Sequence, residues 1–340
     1  MGSPQQSETP MQGEAPGNEP PWVVMKFGGT SVSTAAHWEV IADRVGRERT
    51  AGRRVMVVVS ALAGVTDHLQ RLAEAPPPEV VEELLTAIDR AHEKLASSGG
   101  RVPGEEYLGV RRSLAALLAD PAGSGLVGER WIARIQSFGE CLSSALGAQF
   151  LARAGETVVL DSALDLLSVD PETSAGPLAA YCHEDGDPAL ARRLAAAGPV
   201  HITQGFMARG PDGEPWLLGR GGSDTAAALI AARLGAEELQ VWTDVAGIFS
   251  ADPRVVPEAR LLRRLSYSEA QEFATMGARV LHPPCIGPLR RHGISLSIRD
   301  TRQPHGVHTT VGPRSAQTEG LVKGVVSRSG ITLINLDSIT

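Results

Sequence analysis

Twice in this chain a short apolar run breaks off into adjacent glycines, and a helical pattern begins just after them. The later instance is Leu218-Gly-Arg-Gly-Gly-Ser-Asp-Thr225, followed by an alanine-rich helical run from Ala226 to Leu234 that Gly235 is placed to stop. Gly219, Gly221 and Gly222 let backbone N–H groups approach a ligand with no Cβ in the way. A helix opening there aims its unpaired N–H groups and positive dipole end at the same spot. Arg220 lies inside the turn, where a planar guanidinium grips a carboxylate in two places. Ser223 suits an N-cap and Asp224 the first helical turn. A capped helix after a glycine turn, with no ligand, fits these residues equally well. The earlier instance is Trp22–Phe27, a mostly apolar run ending in Gly28-Gly29-Thr30-Ser31, with a helical pattern from about Thr34 to Arg49. Lys26 stands at the carboxyl end of that run. It is either an edge-strand charge facing solvent or a functional lysine, and its place between Met25 and Phe27 beside a glycine pair favours the second reading.

Further apolar runs at Val55–Val59, Thr157–Leu160, Pro199–Thr203, Leu239–Trp242 and Ile294–Ile298 read as strands. Helical patterns cover about 79–96, 105–118, 127–154, 268–276 and 284–291. Alternating strands and helices specify an α/β fold with a mostly parallel central sheet and helices on both faces. Pro211-Asp212-Gly213 reads as a hairpin turn between the Pro199–Thr203 and Trp216–Leu218 strands. In open α/β sheets, ligands sit outside the carboxyl ends of strands. Ser60 and Thr66, in the loop after Val59, are therefore candidate hydroxyl donors, although Thr66 suits a helix N-cap as well. Glu140 falls near the apolar face of the 127–154 helix, where an unpaired carboxylate is costly. A capping or ion-paired glutamate and a receiver of a substrate ammonium both remain open. The loop from Thr243 to Arg254 has the residue types to hold a nucleotide, each of them common in loops.

At 340 residues the chain has ample length for a sizeable core, as one large domain or two modest ones. Its net charge of −7 argues against a nucleic-acid or anionic-membrane partner, so an acidic ligand needs locally placed Arg and Lys. Cys141, Cys182 and Cys285 are odd in number and far apart, which fits a reducing compartment and no thiolate metal site. No apolar run approaches the ~18 residues needed to span a bilayer. Residues 1–21 read as a disordered tail lacking both parts of a signal peptide. The histidines lack metal-ligand spacing and read as structural, and no metal site is expected.

Neither a Walker A pattern nor the eukaryotic-type protein-kinase motifs occur. Lys26-Phe-Gly-Gly-Thr-Ser-Val32, the Ser60–Asp67 loop, Gly139-Glu140, Gly219-Arg-Gly-Gly-Ser-Asp224, Trp242-Thr-Asp-Val and Asp252-Pro-Arg254 together resemble aspartate kinases, of the amino-acid kinase family. The region Gly128–Phe150 looks most like the kinase half of bacterial fusions with diaminopimelate decarboxylase. The resemblance implies a three-layer amino-acid-kinase-type fold over residues 22–313, with an aspartate-binding lobe over about 22–200 and a nucleotide-binding lobe over about 200–313. It implies ATP, with Mg²⁺ carried by it, as phosphoryl donor and the side-chain carboxylate of L-aspartate as acceptor. The product is 4-phospho-L-aspartate, the entry to lysine, threonine and methionine synthesis.

By resemblance, Lys26 stabilises the transferring phosphoryl group and Asp224 organises that site. Thr66, Glu140, Arg220, Gly221 and Ser223 match aspartate-binding positions. Gly28, Gly29, Thr243, Asp244, Phe249, Arg254 and Arg279 match nucleotide positions. Arg279 stands where the family commonly has lysine, and Phe249 where tyrosine is common. Residues 314–340 look like a linker and the truncated start of an ACT-type regulatory domain, which puts feedback inhibition in doubt. A cytoplasmic homo-oligomer, a dimer by resemblance, is expected. The chemistry is consistent: a carboxylate with an ordinary pKa of about 3.9 is ionised at neutral pH and needs no general base.

Overall fold

A computed structural model describes residues 20–277, 280–314 and 322–327. The strands are β1 (Trp22–Phe27), β2 (Arg54–Val59), β3 (Val158–Leu160), β4 (Val200–Gln204), β5 (Met207–Arg209), β6 (Pro215–Leu217), β7 (Glu238–Thr243), β8 (Arg264–Ser266), β9 (Ser295–Asp300) and β10 (Thr309–Gly312). The helices are α1 (Gly29–Val32), α2 (Ala35–Thr50), α3 (Val65–Ala73), α4 (Pro78–Ser98), α5 (Glu105–Ala119), α6 (Glu129–Arg153), α7 (Ala163–Leu166), α8 (Pro188–Ala197), α9 (Gly222–Leu234), α10 (Tyr267–Met276) and α11 (Ile286–His292).

Eight strands form one sheet in the order β3-β4-β2-β1-β7-β9-β10-β8, parallel throughout except between β9 and β10. β1 lies inside it, paired with β2 on one side and β7 on the other, and all six of its residues are buried. That burial explains its nearly continuous apolar sequence. It also rules out the edge-strand reading of Lys26.

Side chains alternate between two apolar layers, as the two-residue strand period requires. Val24, Met56, Val58, Leu239 and Val241 join a core with α8, α9, α10 and α11. Val23, Met25, Phe27, Val55, Val57, Val59 and Trp242 face a second core with α2, α3, α4 and α6. The expected sheet covered on both faces is thereby realised. Because the strand order reverses direction at β1, the crevice outside its carboxyl end is where a doubly covered sheet binds ligands.

Two local expectations change. Pro211-Asp212-Gly213 does turn a hairpin, but its first strand is β5, paired antiparallel with β6 in a separate two-stranded sheet. β4 ends at Gln204 because Phe206 takes a left-handed φ of 69°, which a strand cannot continue through. The N-cap of α9 is Gly221, with φ 66°, and Ser223 lies one residue inside the helix, making no capping bond. Gly235, with φ 59°, ends the helix in the left-handed geometry typical of a terminating glycine. Among the described residues, no helix is long and apolar enough to cross a membrane.

Candidate active site

Both glycine turns converge outside the carboxyl end of β1. The Lys26 ammonium lies 2.5 Å from Oδ1 of Asp224 in the first turn of α9, the two residues being 9 % and 7 % exposed. The N–H of Gly28 donates to the carbonyl of Trp242 at 3.3 Å, which ties the first turn to the end of β7. A Cβ at Gly28 would sit 3.6 Å from the Lys26 ammonium. The ammonium therefore lies beside one glycine turn and against the carboxylate of the helix that follows the other.

The loop after β2 joins these parts. A Cβ on Gly29 would come within 2.7 Å of the Ala61 carbonyl, and one on Gly139 within 2.8 Å of the Ala61 Cβ. Ser33 receives the Ala63 N–H at 3.0 Å and donates to the Gly29 carbonyl at 2.6 Å. Close approach at Gly29 and Gly139 thus brings α1, the Ala61 loop and α6 together, and Glu140 follows Gly139 directly. Thr66, half-buried in the first turn of α3, follows Gly64, whose φ of 83° makes that glycine the N-cap.

Glu140 is 3 % exposed, and its Oε2 has no hydrogen-bond partner among the described residues. Burial raises its pKa to about 8, against the opposing pull of hydrogen bonds from the Ala61 and Glu140 backbone and the charge of Lys26. Neither the capping nor the ion-paired reading fits a buried, half-unsatisfied carboxyl group. A cation docking beside it would restore its charge. The folded protein holds a proton here that the unfolded chain, with a pKa of 4.5, releases, so this group's contribution to stability falls as pH rises from 4.5 to about 8. Glu140→Gln is expected to stabilise the free protein by roughly 2–4 kcal/mol at pH 8 and by little near pH 4.5. Urea unfolding at both pH values measures it, and a pH-independent difference would reject this burial account.

Around the second turn, Gly219 and Gly221 both take left-handed φ, 68° and 66°. A Cβ on Gly221 would overlap the His282 ring, and one on Gly222 would lie 2.6 Å from Phe206 Cδ2. The buried Cys285 thiol, raised chiefly by burial, also feels Asp224 raising and Lys26 lowering its pKa. Arg220 is exposed and ion-pairs with no described residue, so its guanidinium is open to a ligand. Ser223 is buried against the end of β4, where a Cβ on Gly205 would approach its own Cβ to 2.6 Å. Phe206 and His282 were missed as site neighbours: a positive φ at phenylalanine leaves no sequence mark, and His282 carries no motif of its own.

The nucleotide candidates divide. Thr243 and Asp244 follow Trp242 directly and are joined at 3.2 Å. Phe249 and Arg254 belong to the outer part of the loop, Phe249 bridging to Leu261 and Arg254 pairing with Asp252 at 2.7 Å. Arg279 lies outside the described residues, as does most of the 314–340 segment.

Residues 21–300 match the model of the amino acid kinase family. An aspartokinase from Chlamydia pneumoniae is 34 % identical over 83 % of this chain and 61 % of its own length. One from Thermus thermophilus is 32 % identical over 82 % and 56 %. Among solved structures, E. coli aspartokinase III in complex with aspartate and ADP superposes with a TM-score of 0.75 at 31 % identity, covering 86 % of this chain and 65 % of that one. The chain thus spans about three fifths of the length of these curated relatives. With the matched region running from the start of β1 to the end of β9, the chain belongs to the amino acid kinase family.

Proposed function

We propose that this chain transfers the γ-phosphoryl group of MgATP to the side-chain carboxylate of L-aspartate, giving ADP and 4-phospho-L-aspartate. The observation that carries this reading is the buried Lys26–Asp224 pair, 2.5 Å apart outside the central strand and beside two glycine turns. The relatives named aspartokinase, and the solved one holding aspartate and ADP, support it.

The acceptor carboxylate is already ionised and attacks without a base. What remains is in-line positioning and neutralisation of charge on the transferring group. Lys26 supplies the charge and Asp224 holds the ammonium in place. The Gly29 N–H at the start of α1 supplies a donor for the nucleotide phosphates, beside Gly28, whose own N–H is held by the Trp242 carbonyl. Arg220 and the Gly221 N–H receive the α-carboxylate of aspartate, Glu140 its ammonium, with Thr66 and Ser223 as hydroxyl partners. Thr243, Asp244, Phe249, Arg254 and Arg279 receive the nucleotide. Mg²⁺ enters on the phosphate oxygens of the nucleotide substrate. On this reading residues 22–200 and 200–313 form the aspartate and nucleotide lobes, and 314–340 opens an ACT-like regulatory region. The protein is then a cytoplasmic dimer at the entry to lysine, threonine and methionine synthesis.

Purified protein incubated with ATP, hydroxylamine and, in turn, L-aspartate, L-glutamate, N-acetyl-L-glutamate or carbamate tests the assignment. Hydroxamate is expected with aspartate alone. Preference for another acid would reassign the substrate, and no product with any would end the proposal.

A further inference from the structure

Two guanidinium groups share one cavity of about 600 Å³ at the C-terminal ends of α4 and α6, lined by Ser97, Gly100, Arg101, Val102, Gln149 and Arg153. Arg153 closes α6, 13 residues beyond Glu140, so at the helical rise the cavity lies about 20 Å along the helix from that carboxyl group. It is a different place from the candidate active site. Its volume falls within the usual range for small-molecule sites, about 300–1,000 Å³.

The charges in it are not balanced. Nη1 of Arg101 donates to the Gly99 carbonyl at 2.9 Å and Nη1 of Arg153 to the Gly100 carbonyl at 3.1 Å. Neither arginine forms an ion pair with a described acid. The guanidinium carbon of Arg101 lies over the Phe150 ring, 4.0 Å from its centre, and the Arg101 Nε is buried with no hydrogen-bond partner among the described residues. Burial and then the charge of Arg153 lower its pKa, and Glu39, the opposing acid, weighs less than either. Capping of the C-terminal end of α4 accounts for both carbonyl contacts. It does not account for bringing two like charges into one cavity or for the unpartnered Nε, in a protein whose net charge is −7.

We propose that this cavity is a second binding site, for a small anion bearing carboxylate or phosphate oxygens. Such oxygens match the planar guanidinium fork, and an anion between Arg101 and Arg153 relieves their repulsion. Phe150 backs one guanidinium from below, the amide of Gln149 offers a further donor, and Val102 gives an apolar wall.

The test titrates the full-length protein with inorganic phosphate and with citrate by calorimetry, at ionic strength matched with sodium chloride. It compares the wild type with Arg153→Gln and Arg101→Gln. Arg153 is exposed, so its variant is expected to fold even if Arg101→Gln, which loses the contact with Phe150, does not. Anion binding at Gly28–Gly29 or Gly219–Gly222 is untouched by either substitution and cancels in the comparison. One of the two probes is expected to bind the wild type at least tenfold more tightly than Arg153→Gln, and which one it is separates phosphate from carboxylate recognition. Equal affinities in wild type and Arg153→Gln for both probes would overturn the proposal. A lower Tm in the variant with an unchanged anion response would show that the arginine is a helix cap only.

Discussion

Lys26→Ala is expected to lower the rate of acyl-phosphate formation by about 10³-fold, the size of effect seen when one charge-stabilising donor is removed from a transferring group. The ammonium is buried and its partner Asp224 sits in the first turn of a helix, so the charge is held at a fixed place that alanine leaves empty. The substitution also leaves the Asp224 carboxylate buried without its partner, and breaking a buried pair costs about 3–5 kcal/mol. Rates must therefore be compared per folded molecule, with circular dichroism reporting the folded fraction. Lys26→Arg separates the two effects. It keeps the charge beside Asp224 and is expected to fold better than the alanine variant. Its broad fork does not fit where a compact ammonium stood, so the rate should remain at least tenfold down. A Lys26→Ala rate within threefold of wild type would remove this residue from the transfer step.

Gly221→Ala is expected to destabilise the protein by about 2–4 kcal/mol, from two separable causes. The left-handed φ of 66° strains any residue with a Cβ, and that Cβ would also overlap the His282 ring. The double variant Gly221→Ala/His282→Ala removes the overlap and keeps the strain. Chemical denaturation of both single variants and the double should show a coupling of at least 1 kcal/mol in the direction of rescue. Strict additivity would mean that the ring does not press on the turn. Aspartate affinity should fall in Gly221→Ala, because the displaced turn carries Arg220 with it.

Much of this was legible beforehand because the central strands are buried on both faces. Trp22–Phe27 and Val55–Val59 stand out as apolar runs for that reason, and the first leads into Gly29, where a Cβ would come within 2.7 Å of the Ala61 carbonyl. The edge strand β8 and its neighbour β10 are three and four residues long, too short for any periodicity to register. Phe206 shows the second limit. Its positive φ ends β4 and moves the hairpin one strand along, yet nothing about a phenylalanine announces a left-handed backbone. Glu140 shows the third. Its spacing placed it on the apolar face of α6, but the loop that accepts it, at Ala61, lies 79 positions earlier, and only the folded chain brings the two together. His282 read as structural for want of a motif, and it rests on the glycine turn that is central to the site. Ser223 had the chemistry of a cap, but Gly221 had the backbone freedom, and the freedom decided where α9 begins.

The central claim is that the site formed by Lys26, Asp224 and the two glycine turns directs a carboxylate oxygen onto the γ-phosphorus of ATP. L-Aspartate labelled with heavy oxygen in its side-chain carboxylate tests this most directly, with hydroxylamine present to cleave the acyl phosphate at carbon. The phosphate released should carry one labelled oxygen per molecule, and the ADP none. Unlabelled phosphate, formed as fast as ADP, would mean that water and not the carboxylate is the nucleophile, and the account of this site would be contradicted.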